Sequence, residues 1–187
     1  MRRLTALALL MSSGAALAAE PVPPSLAELF AATAGDWQGE LQYRDYQSNK
    51  WEGLPVKVKV QAQGDGVTVV RTAAFDDGPK TGIVTITTVT QIDPATGRES
   101  YAAFRKSREP DSGAAQLTLG SALRDLTHWT IIATETRKDG DSLAVVRETT
   151  TRNGTSLVTL KEVDPVGDGV TAWQPRNRTV LELEGQP

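Results

Sequence analysis

The sequence has no cysteine and a single histidine, His128, and only 5% of its 187 residues are aromatic. Without Cys the chain can form no disulfide, no thiolate metal site and no cysteine nucleophile. One imidazole cannot supply the two or three that His-rich metal centres need. The sequence also lacks a Gly-x-Ser-x-Gly elbow and a phosphate-binding glycine loop. Its acidic pairs (Asp76 with Asp77, Asp139 with Asp141, Asp164 with Asp168) lie in glycine-containing stretches. There Asp serves local turn hydrogen bonds, and none follows the twelve-residue calcium-loop spacing. No metal ligand set and no catalytic group is assigned. What is present, 39% hydrophobic and 23% charged residues, is the balance of a globular chain.

The first residues read as an export signal. Arg2 and Arg3 precede an apolar stretch from Leu4 to Met11, and Ala16-Leu17-Ala18 places small residues before a cleavage point between Ala18 and Ala19. The apolar run falls short of the ~20 residues of a membrane span and is diluted by Ser12, Ser13 and Gly14. Cleavage takes 18 residues and two positive charges from 187 residues and net charge −3, leaving 169 and −5. That acidic balance argues against nucleic acid as a partner, which calls for a clustered basic face. The export signal makes a periplasmic or secreted location the expectation, and an exported domain of this size buries enough core to fold without disulfide staples.

After a Pro-rich leader, Ser25 is placed to cap a short helix, with Glu28 as the reciprocal partner and Leu26, Leu29 and Phe30 on one face. From Trp37 the hydrophobic period becomes two. Trp37, Gly39, Leu41 and Tyr43 alternate with polar residues, and Leu54, Val56, Val58 and Val60 do so more cleanly. Further runs follow at 67–75, 82–92, 98–106, 114–121, 126–137, 143–152, 156–163 and 177–184, separated by turn residues. Asn153-Gly154 and Asp139-Gly140 are hairpin signals. The 22 threonines fall mainly inside the runs. No helix recurs between strands, so crossover parallel sheets are excluded. The expectation is an all-β chain: a closed antiparallel up-and-down barrel of about eight to ten strands behind a short helix, with a β-sandwich as the alternative. The division is 1–18 signal peptide, 19–35 leader and helix, 36–187 barrel.

Gly35-Asp36-Trp37-Gln38-Gly39, at the junction of helix and first strand, resembles the opening of lipocalin-like (calycin) barrels, in particular exported bacterial ones without an assigned role. The resemblance implies that Trp37 plugs the closed end and that a basic residue of the last strand, Arg176 or Arg178, packs over it as a cation–π pair. It also implies an interior for a small apolar or amphipathic molecule. A haem-binding branch of the same group uses a late-strand His, which here makes His128 the candidate for haem or nitric oxide handling.

The polar anchors follow from strand phase. Arg71 is in phase with Val67, Val69, Ala73 and Phe75, and Arg147 with Leu143 and Val145. Facing inward, such cations need an internal carboxylate (Asp45 or Glu99) or an anionic ligand. Tyr43, Arg71, Tyr101, His128 and Arg147 are therefore the candidate ligand-binding residues. A third reading is a filled barrel acting as a non-catalytic envelope interaction protein.

Overall fold

The computed structural model describes residues 22–45, 47–120, 123–167 and 169–185. The export signal at 1–18, its cleavage point and Asp168 lie outside the described residues.

Helix α1 (Leu26–Ala31) is set by the expected capping box. The Ser25 amide donates to Glu28 Oε2 at 2.7 Å, and the Glu28 amide donates to Ser25 Oγ at 3.3 Å. Ten antiparallel strands follow: β1 (Gly35–Arg44), β2 (Trp51–Ala62), β3 (Thr68–Asp76), β4 (Ile83–Asp93), β5 (Arg98–Arg105), β6 (Asp111–Leu119), β7 (His128–Asp139), β8 (Ser142–Asn153), β9 (Ser156–Pro165) and β10 (Gln174–Leu183). Each pairs with its chain neighbour, and β10 returns to β1 to close the barrel. Closure satisfies both edges, which a sandwich would leave open. One element was not expected: a short helix, α2 (Gly78–Thr81), occupies the turn between β3 and β4. The strand β6 also begins earlier than the sequence pattern indicates, because Asp111 and Ser112 pair with Ala103 and Ala102 of β5.

The closing seam explains the second glycine of the Gly-x-Trp-x-Gly stretch. Gly39 faces Leu181 of β10, and a Cβ built on it would lie 1.9 Å from the Val180 carbonyl oxygen. Only a residue without a side chain allows the last strand to meet the first there.

The barrel has a sealed end and an open one. Helix α1 packs against β2, β3 and β4 at the sealed end, burying Leu29 completely. Trp37 and Trp129 are buried beside it with Ile92, Leu117, Ile131, Leu157 and Leu181. Both indoles keep a hydrogen bond in the dry core. Trp37 Nε1 donates to the Thr33 carbonyl at 2.9 Å and Trp129 Nε1 to that of Leu126 at 3.0 Å. Burying this cluster is the main hydrophobic stabilisation of the fold. The hairpin turns at Gly140 and Gly154 sit at φ 66° and 63°, as Asp-Gly and Asn-Gly turns require. No helix among the described residues is long and apolar enough to cross a membrane.

Candidate functional site

Above the sealed end the interior does not fill. A cavity of about 390 Å³ runs from Phe30 of α1 to Asp111 and Arg137 near the opposite end. Its volume lies at the small end of the range that holds small-molecule ligands. Its floor is apolar, formed by Phe30, Ile131, Leu157 and Leu181, with Ala115, Ala133 and Val146 on the walls. Its waist is charged. Arg71 on β3, Glu99 and Tyr101 on β5, Glu135 and Arg137 on β7, Glu148 on β8 and Lys161 on β9 all face the same space. They do so because each shares the inward phase of its strand with small or apolar neighbours, such as Ala73 beside Arg71 and Val146 beside Glu148.

The interior charges fall into two sets. One is bonded: the Tyr101 hydroxyl donates to Glu135 at 3.0 Å, Arg137 Nε lies 2.9 Å from Glu135 Oε1, and Arg137 Nη1 lies 3.3 Å from Asp111. The Arg137 Nε contact is an ion pair at poor hydrogen-bond angle, which leaves that buried N–H unsatisfied. Gly113 makes room for this network, since a Cβ there would meet the Tyr101 hydroxyl at 2.7 Å. Burial holds the Tyr101 phenol well above its ordinary range, so it stays a donor.

The other set is free. Arg71, Glu99, Glu148 and Lys161 make neither a hydrogen bond nor an ion pair with any described residue. Burial pulls the Arg71 guanidinium down from its ordinary pKa, and the charge of Glu148 opposes it without touching. Burial raises Glu99 to about 7, helped by the charges of Glu148 and Glu135. Unpartnered charged groups around a cavity are matched by solvent or by a polar ligand.

Of the residues expected from sequence, Arg71 and Tyr101 line the cavity. Three do not. Tyr43 is in the inward phase but stands at the open end, 47% exposed. Arg147 is on the outer surface, bonded to Glu162 at 2.8 Å and stacked on Trp173 at 3.9 Å. Its expected phase is off by one because Leu143-Ala144-Val145-Val146 is apolar throughout, and the pairing puts Ala144 and Val146 inside. His128 also faces outward, beside the inward Trp129, and its Nδ1 sits 3.0 Å from Asp125. No other imidazole exists in the sequence, so the cavity does not fit the haem reading, which rested on His128.

The arginine over Trp37 is likewise a different one. Arg178 packs on Trp51 at 4.5 Å on the outer face, with Nε donating to Gln42. Arg176 pairs with Asp139 at 2.6 Å. The guanidinium near the Trp37 ring belongs to Arg152 of β8, 5.6 Å from its centroid.

Sequence reading missed Glu135, Arg137, Glu148 and Lys161 as interior groups, and weighed Glu99 only as a partner for an arginine. The available signal was phase: Glu135 follows Ile131 and Ala133 at spacing two.

Among solved structures, the crystal structure of Rv2717c from M. tuberculosis is similar, with a TM-score of 0.58, covering 86% of this chain and 99% of that chain at 11% sequence identity. At that identity the likeness concerns the fold alone. No family model matches the sequence, and no curated protein is similar to it.

Proposed function

We propose that this chain is an exported, periplasmic or secreted, lipocalin-like binding protein whose barrel holds one small amphipathic molecule. The observation that carries the reading is a cavity with an apolar floor and, above it, charges that no described residue pairs with. A molecule with an apolar end covers Phe30, Ile131, Leu157 and Leu181, and its polar head meets Arg71 and its neighbours. Holding those charges without a partner among the described residues costs stability, and a ligand recovers it. The open cavity speaks against a filled interaction barrel. The export part of the reading rests on the segment from Arg2 to Ala18.

The test uses the protein purified from a periplasmic fraction. Native mass spectrometry should show a chain beginning at Ala19 with a small molecule bound. The emptied protein should then take up N-phenyl-1-naphthylamine with a fluorescence rise, and Thr159→Trp, which fills the cavity, should abolish that rise. Uptake that persists unchanged in Thr159→Trp would place the probe elsewhere and remove the interior as the site.

A further inference from the structure

The charge inventory of the cavity narrows the class of molecule it suits. The bonded set is paired in charge within itself: Glu135 with Tyr101 and Arg137, and Arg137 with Asp111, with only the Arg137 Nε–H left without a hydrogen bond among the described residues. The free groups comprise two cations, Arg71 and Lys161, and two carboxyls, Glu99 and Glu148. Arg71 and Glu148 feel each other's charge yet form no ion pair, so both remain available to a third group between them.

Simple ligands suit this arrangement poorly. A monocarboxylate would satisfy Arg71 but add an anion next to Glu148. A simple amine would satisfy Glu148 but add a cation next to Arg71 and Lys161. A group carrying both charges on adjacent atoms answers both sides at once. We propose, building on the reading of the barrel as a small-molecule binder, that its ligand is a zwitterion of the α-amino acid class with an apolar side chain. Its carboxylate is received by Arg71, its ammonium by Glu148, and its side chain rests on the floor of Phe30, Ile131 and Leu157. Glu99, raised to about 7 by burial and by its acidic neighbours, is about half neutral near physiological pH. When neutral it leaves three cations facing three carboxylates in the cavity, a field that favours a ligand of zero net charge.

Calorimetric titration of the full, emptied protein tests this with three matched probes: L-phenylalanine, 3-phenylpropionate and 2-phenylethylamine, with the corresponding L-leucine series alongside. The expected result is that the amino acids bind at least ~10-fold more tightly than either matched acid or amine, the gain of one added charge-assisted hydrogen bond. Glu148→Gln should lower amino-acid affinity by about the same ~10-fold factor without weakening the acid. Arg71→Gln should weaken both. If the acids bind as tightly as the amino acids in the unmodified protein, or if Glu148→Gln leaves the preference intact, the zwitterion assignment is wrong. That comparison within the unmodified protein decides the matter even if a variant fails to fold. Uptake of N-phenyl-1-naphthylamine with no amino-acid binding overturns this inference and leaves the amphipathic-binding reading standing. No uptake of any probe overturns both.

Discussion

Arg152 of β8 lies beside Trp37 of β1, its guanidinium 5.6 Å from the indole centroid, although the two strands are separated around the barrel by β9 and β10. Arg152 is 7% exposed and donates to the backbone carbonyls of Ala32 and Gly154. One side chain thus ties the end of α1, the first strand and the β8–β9 turn together at the sealed end. Burial lowers its pKa, and the charge of Asp125 opposes that shift.

Replacing it tests the tie. Arg152→Met keeps the length and loses two charge-assisted hydrogen bonds and the cation–π contact, a cost of about 3 kcal/mol. Arg152→Lys, which cannot reach both carbonyls with one ammonium, should fall between. Urea unfolding midpoints measure both. A loss under ~1 kcal/mol for the Met variant would mean that the sealed end is held by apolar packing alone.

Gly39→Ala should be among the most damaging single-atom additions in the chain. The new Cβ would meet the Val180 carbonyl oxygen of the closing strand, and the seam must open or bend at a cost of about 3 kcal/mol or more. Gly140→Asn is the control, since Gly140 has open space around it and Asn tolerates its φ of 66°. It should cost under ~1 kcal/mol. Equal unfolding shifts for the two would contradict the close approach at the seam.

Arg71→Met should stabilise the empty protein by about 1 kcal/mol, because it removes an interior cation that no described residue pairs with. A thermal melt of ligand-free protein reads this. Opposite movement of stability and ligand affinity is the signature of a residue kept for binding. A clear loss of stability would show that Arg71 is structural.

Glu99 makes stability depend on pH. Burial pushes its carboxyl up to about 7 in the folded chain, from an ordinary 4.5, so the folded state holds the proton more tightly. Unfolding free energy should therefore fall as pH rises from about 4.5 to about 7 and level off above, a total on the order of 3 kcal/mol. Urea midpoints at about pH 5 and about pH 8 should differ in the native chain and converge in Glu99→Gln, which is the more stable of the two at the higher pH. An identical slope in the variant would assign the dependence to other groups.

Much of the architecture was open to reading along the chain. Strands with strict alternation, such as Val56, Val58 and Val60 against Lys57 and Lys59, declare their faces, and Asp-Gly and Asn-Gly declare their turns. Phase was readable for Arg71, flanked at spacing two by Val69 and Ala73. It was not readable for Arg147, which follows four apolar residues in a row and takes its direction from the pairing of β8 with β7.

Period two, turn chemistry and capping are local properties, and along the chain they specify an all-β fold of about ten strands behind a capped helix. Which arginine meets Trp37, the outward direction of His128, and the one space that Glu99, Glu135 and Glu148 share with Arg71 come from barrel closure. These depend on which strands closure brings opposite one another across the barrel, a relation between residues far apart in the chain that no local spacing encodes.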